Sequence, residues 1–276
     1  KKIKLISCAV LSFISSFVFA YNQTILISDI DDTIKVSHVL DKGSVIANAF
    51  LTHNAFLGMS ELYNILLNEK KIDAIVYLSN APKFLMYPFH QKFLKNQGFP
   101  EGKLLLAPGP SNKNHKLNSL RSIIENKSPM ELILVGDNGE RDTEVYSVLA
   151  KEYPELKITT YIHLAYSKDG HNNNFGKELK EDQIGYATAL DLASHMLKTN
   201  TISEENYSNL LSQIIPIALA EGNYEKRGKP IMFPAWFDCR DYKFEQLPLR
   251  KKLNPETLAA FNKKLSQRCS ITPYQN

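Results

Sequence analysis

Cysteine is scarce in this 276-residue chain: three in all, of which only Cys239 and Cys269 lie beyond the first twenty residues. There is no Cys-x-x-Cys and no His-x-x-x-His, and the seven histidines (38, 53, 90, 115, 163, 171 and 195) show no ligand spacing. Zinc sites built on such patterns are therefore excluded. Internal repeats are missing, which sets aside repeat architectures. No nucleic-acid motif occurs, so nucleic acid is not an expected partner. Long apolar runs are missing too, with one exception at the start. Lys1, Lys2 and Lys4 precede an uncharged, mostly apolar stretch ending Val18-Phe19-Ala20. The stretch is short for a membrane span. It reads as a secretory signal peptide over residues 1–20, cleaved after Ala20, with an uncleaved anchor as the alternative. The expected destination is the periplasm or the exterior. In an exported protein a Cys239–Cys269 disulfide is plausible and would clip the tail.

Charge of one sign is also lacking. The chain holds 33 Lys and Arg against 29 Asp and Glu. The balance is uneven, however. Residues 221–276 carry 11 basic and 6 acidic side chains, while residues 21–220 carry 19 and 23. An acidic main part is followed by a basic tail.

What is present begins with Gln23–Val36. An apolar run, Ile25-Leu26-Ile27, stops at Ser28, and Asp29, Asp31, Asp32 and Thr33 follow. The run reads as a short buried strand with acids at its carboxyl tip, where open α/β sheets bind ligands. Like charges this close call for a cation or for solvent. An Asp-x-Asp strand tip therefore suggests a divalent metal, a phosphate ester or both, the plain alternative being an acidic turn.

Further along, the pattern predicts helix over 59–69, strand over 72–79, helix over 82–98 and strand over 104–106. Helix over 113–125, strand over 131–135, helix over 141–152 and strand over 158–164 follow. This alternation predicts an α/β fold with a Rossmann-like parallel sheet flanked by helices. The polar stretch after residue 166 marks a boundary. Beyond it, residues 181–198 and 203–220 read as helices, the second capped by Thr201-x-x-Glu204. A last helix begins at Asn254-Pro255 with Leu258, Phe261 and Leu265 on one face. Residues 171–276 thus read as a helical and irregular extension. The region 37–57 reads as a flap near the site.

The strand ends carry the functional reading. The first ends in Asp29-x-Asp31-x-Thr33, the second in Ser79. Lys116 opens the helix after the third, and the fourth ends in Gly136-Asp137 with Asp142 beyond. In this order the set resembles the four motifs of the haloacid dehalogenase superfamily. The resemblance implies a phosphatase domain over 21–170 that uses Mg²⁺. It makes Asp29 a nucleophile that forms an aspartyl-phosphate, and Asp31 the acid and base that also offers its backbone carbonyl to the metal. Ser79 and Lys116 would contact the phosphoryl group, with Lys113 a rival to Lys116. The metal contacts would be Asp29, Asp31 and Asp137, with Asp142 orienting them. Asp32 is a neighbour of ligands or a solvated acid, and Thr33 and Asn80 shape loops. His115, beside Lys116, is the histidine to watch.

The wording is narrower still. Ser28–Lys35, Tyr77–Pro82 and Val135–Tyr146 are similar to the phosphatidate phosphatase catalytic domain first recognised in a yeast actin-patch protein. That resemblance covers about residues 24–166. It implies hydrolysis of phosphatidate to diacylglycerol, and hence a role in lipid metabolism. The chain departs from it at Ile162-His163, where members often carry Ile-Arg. A phosphatase for soluble phosphomonoesters and a secreted effector that binds a protein are the alternatives. In the tail, Ile231–Phe237 is apolar and aromatic with Lys226, Arg227, Lys229 and Arg240 around it. Such a segment suits an anionic membrane surface. Docking of these aromatics onto the main domain is the preferred reading.

Overall fold

The computed structural model describes residues 23–41, 52–109, 114–170, 175–221, 229–248 and 253–271. The expected signal segment, Lys113, Lys226, Arg227 and the centre of the expected flap (42–51) lie outside the described residues.

A six-stranded, all-parallel sheet in the order β3-β2-β1-β4-β5-β6 organises the protein. Its strands are β1 (Thr24–Ser28), β2 (Ala74–Pro82), β3 (Lys103–Ala107), β4 (Glu131–Asp137), β5 (Lys157–His163) and β6 (Gln183–Tyr186). Both faces are covered, which is why the strands are apolar on alternate and intervening positions alike. In β1, Ile25 and Ile27 join one buried cluster with Leu120 and Leu149, while Leu26 joins another with Leu62 and Leu190. Helices α3 (His115–Lys127) and α4 (Asp142–Glu152) supply the first cluster. The second takes in α1 (Met59–Asn68), α2 (Lys83–Asn96), α5 (Ala189–Lys198), α6 (Glu204–Ala220) and α7 (Pro255–Arg268).

The strand order reverses between β1 and β4, whose tips carry Asp29 and Asp137. That switch point is where a doubly wound sheet opens a crevice. No helix among the described residues is long and apolar enough to cross a membrane.

Two expectations need correction. Residues 181–198 are not one helix: Gln183–Tyr186 pairs with β5 as an edge strand, and α5 starts only at Ala189. Gly185 and the β-favouring Ile184 and Tyr186 weaken a helix there. Thr188 then forms a capping box with Asp191 and starts the helix afresh. The α6 cap is Ser203 rather than Thr201: its side chain accepts the Asn206 N–H. Glu69 accepts the Ser203 hydroxyl at 2.6 Å and locks that turn to α1.

The tail packs inward. Ile231 bridges to Phe56, and Phe237 and Trp236 are buried against the segment that follows β5. Cys239 and Cys269 form a disulfide that ties this loop to the end of α7. Arg268 adds hydrogen bonds to the carbonyls of Pro234 and Ala235, both at 3.1 Å.

Candidate active site

Asp29 follows the last residue of β1, and its N–H donates to Val135 O of β4 at 2.8 Å. The backbone is thereby fixed across the switch point. Thr33 donates its hydroxyl to Asp29 Oδ2 at 3.0 Å, and Lys116 Nζ lies 2.6 Å from Asp29 Oδ1. The same ammonium lies 2.5 Å from Asp142 Oδ1. Lys116 is buried at the start of α3, so it reaches both acids without solvent between them.

Asp137 ends β4, and its Oδ1 accepts Gly139 N–H at 2.6 Å. Asp142 begins α4. Its carboxyl reaches the site because Gly136 has no side chain: a Cβ there would strike Asp142 Oδ2 and, at 2.8 Å, the ring of Tyr146. Asp29, Asp137 and Asp142 each offer a carboxylate oxygen within 4.8 Å of the others. Asp137 Oδ2 and Asp142 Oδ2 are buried and have no hydrogen-bond partner. Buried carboxylate oxygens without donors are costly. Burial pushes the Asp29 and Asp137 carboxyls well above their usual range, with Asp142 adding to both rises and Lys116 opposing them. Burial would depress the Lys116 ammonium, but Asp142 and Asp29 outweigh it and raise it. One lysine thus faces a crowd of acids. Hard oxygen donors, orphaned and convergent, fit a divalent cation such as Mg²⁺.

Asp31 points elsewhere. Its Oδ1 accepts the Ser37 hydroxyl at 2.6 Å and lies 3.6 Å from Lys35 Nζ. Its Oδ2 lies 3.6 Å from His90 Nε2. Burial pushes this carboxyl up, yet Lys35, His90 and Ser37 outweigh it and hold it below the usual range. The side chain is one-fifth exposed, whereas Asp29 is nearly closed off. Of the expected residues, then, Asp29, Lys116, Asp137 and Asp142 are brought into one cluster. Asp31's carboxylate stands apart, at the mouth. Ser79 lies just past the β1 tip, since the register pairs Ser28 with Tyr77. Its hydroxyl accepts Ala81 N–H at 3.1 Å, shaping the turn into α2. His115 turns away towards Ser119 and Leu105.

Asp32 is not a solvated acid. It sits at φ +58° and is fully buried. It accepts the N–H groups of Ser37, His38 and Val39 at 2.7–2.8 Å and the Tyr166 hydroxyl at 2.5 Å. Burial raises its carboxyl to about 6 against these donors. It pins the loop that carries Asp29 and Asp31.

Sequence reasoning missed the roles of several residues. His163 sits where the family resemblance expects arginine. Its Nδ1 lies 2.7 Å from Asp32 O and its Nε2 3.2 Å from Ala187 O, so the neutral ring sits between the acidic loop and the end of β6 and gives its one N–H to one of these carbonyls. Asn138 clamps the β4 and β5 tips: its Oδ1 accepts Ala165 and Tyr166 N–H, and its Nδ2 donates to Tyr166 O. His90, inside α2, is fully buried; neither ring nitrogen has a hydrogen-bond partner, and its charged neighbour is Asp31, 59 positions earlier in the chain. No spacing rule marks these, because each partner lies far away along the chain.

A buried acid cluster at the switch point of a parallel sheet, with one lysine among the acids, defines the phosphatase-like class that the motifs anticipated. The family model described as "Phosphatidate phosphatase APP1, catalytic domain" matches residues 24–163, half of the chain. The chain belongs to this family. Over 151 residues it is 32% identical to Phosphatidate phosphatase APP1 of Saccharomyces cerevisiae, covering 50% of this chain and 25% of that protein. Over 158 residues it is 28% identical to an uncharacterized protein of Schizosaccharomyces pombe, covering 51% of this chain and 25% of that one. The matched stretch is thus a quarter of each relative's length.

Proposed function

We propose that this chain is an exported, Mg²⁺-dependent phosphatidate phosphatase that works through an aspartyl-phosphate. The observation that carries the reading is Asp29, set at the β1 tip between Thr33 and Lys116, with Asp137 and Asp142 converging on it. The family match to a phosphatidate phosphatase catalytic domain supports the substrate class. The Cys239–Cys269 disulfide supports export, since such bonds persist in oxidising compartments.

Asp29 attacks phosphorus, and the bond from phosphorus to the glyceride oxygen breaks. Asp31, on the open side of the site, takes up a proton from solvent and passes it to that oxygen, releasing diacylglycerol. It then takes a proton from water, which attacks the aspartyl-phosphate, freeing inorganic phosphate and restoring Asp29. Lys116 and the Ser79 hydroxyl stand beside the phosphoryl group and offset its charge. Asp29, Asp137 and Asp142, with the Asp31 backbone carbonyl, would hold Mg²⁺, Asp142 as a ligand rather than in the orienting role the motifs implied; the ion would supply positive charge where two anions meet. In this reading residues 21–170 hold the catalytic groups. Residues 171–276 extend the sheet by β6 and brace the loops.

The test is phosphate release from phosphatidate in mixed micelles and from a soluble aryl phosphate, with Mg²⁺ and with chelator. The expected result is Mg²⁺-dependent release from phosphatidate that Asp29→Asn abolishes. Release from the aryl ester alone would overturn the lipid assignment. Unchanged release by Asp29→Asn would overturn the mechanism.

A further inference from the structure

We infer that the first turn of α2 is a docking surface for an anionic lipid bilayer and holds the site over phosphate headgroups. The inference rests on the phosphatase reading only for what the docked site does there; docking itself is measured without turnover.

Phe84 is 76% exposed and Leu85 42% exposed. They are adjacent, in the turn that follows Ser79 and the carboxyl end of β2. Among the described residues the other exposed large apolar side chains, such as Met130, Phe175 and Ile217, are single and on different elements. Scattered apolar residues need no explanation, but a pair at the mouth of a site does. Neither residue serves the core. The buried face of α2 is Met86, His90, Phe93 and Leu94. The exposed stripe runs Phe84, Pro88, Lys92 and Lys95, apolar at the site end and cationic beyond.

Charge fixes the partner. Helix α2 carries Lys83, Lys92 and Lys95 and not one Asp or Glu. Lys83 Nζ lies 5.9 Å above the Tyr87 ring, an aromatic and cation pair suited to the headgroup layer. Apolar tips flanked by lysine bind anionic interfaces. A protein partner needs roughly 800 Å² of matched surface on each side. Two side chains with a basic flank fall short of that, while a bilayer needs no matching shape. The tail segment with the strongest aromatic composition is the weaker candidate, because Trp236 and Phe237 are buried.

The experiment is sedimentation of the exported protein with vesicles of phosphatidylcholine, alone or containing phosphatidate, in chelator so that no substrate is consumed. The wild type is expected to bind the phosphatidate vesicles and to ignore the neutral ones. The double variant Phe84→Ser, Leu85→Ser should bind roughly tenfold more weakly. Lys92→Gln with Lys95→Gln should weaken binding about fivefold for each lysine. Both variants should keep wild-type hydrolysis of a soluble aryl phosphate, and Ile217→Ser should leave binding unchanged. Wild-type binding by the Phe84, Leu85 variant, equal loss in Ile217→Ser, or no wild-type binding to either vesicle would overturn the inference. A wild type that binds vesicles but hydrolyses neither ester would instead overturn the phosphatase reading.

Discussion

Trp236 lies face to face on His38, with ring centroids 4.5 Å apart and planes within 1°. His38 donates its N–H to Asp32, so a ring from the tail bears on the loop that presents Asp29 and Asp31. Tyr166, whose hydroxyl also donates to Asp32, stacks on the same indole at 5.1 Å. Trp236→Ala is expected to cost about 3 kcal/mol in denaturant unfolding. It should also lower turnover, although Trp236 lies outside the stretch matched to the family. Trp236→Phe should recover most of both.

The disulfide makes a separate prediction. Cys239 and Cys269 are 30 residues apart, and closing such a loop stabilises the fold by about 3.6 kcal/mol. Reductant, or the double change to Ser, should lower the unfolding midpoint accordingly. Equal midpoints with and without reductant would show that the bond adds nothing.

His163 sets a pH dependence. Burial lowers its imidazole from 6.5 to about 4. Above pH 6.5 it is neutral whether folded or not, and its contribution is fully present. Between 6.5 and 4 the unfolded chain takes up the proton more readily, so stability falls as pH falls, by about 3 kcal/mol. Asp191, raised by burial to about 6, acts in the opposite sense over part of that range. The comparison of wild type with His163→Asn isolates the imidazole: the wild type's advantage at pH 7 should shrink by about that amount at pH 4. A constant difference across the range would contradict the assignment.

His90 is positioned to act through Asp31. The His90 ring is buried and its Nε2 lies 3.6 Å from Asp31 Oδ2, a separation that can tighten to a hydrogen bond as the carboxyl passes on its proton. His90→Gln should then slow hydrolysis of an alkyl phosphate roughly tenfold. An aryl phosphate, whose leaving oxygen needs little protonation, should be affected less. Equal losses on both substrates would reduce His90 to packing.

Much of this site was legible in the sequence because apolar strands ending in Asp, Ser or Gly-Asp are local patterns. Asp29, Lys116, Asp137 and Asp142 converge because their elements adjoin in a parallel sheet, which alternation implies. β6 was not legible: four residues with a central Gly185 carry too little pattern, and their pairing with β5 is a tertiary fact. Asp32 read as a neighbour of ligands or a solvated acid because its donors include Tyr166, 134 residues away. His90 looked like an ordinary helical residue, since nothing in α2 announces that its ring faces Asp31. The sequence favoured docking of the tail aromatics onto the main domain over a membrane surface, and burial of Trp236 and Phe237 places those rings in the core.

The central claim is that Asp29 takes the phosphoryl group. The most direct measurement is rapid quenching of an Asp31→Asn variant with a radiolabelled aryl phosphate, followed by peptide mass spectrometry. That ester leaves without Asp31's proton, while hydrolysis of the intermediate lacks its base, so the phosphorylated form should accumulate. The account predicts label on the peptide containing Asp29, released by hydroxylamine and absent when Asp29 is also changed to Asn. Label on another residue, or turnover with no trapped label under any quench, would contradict it.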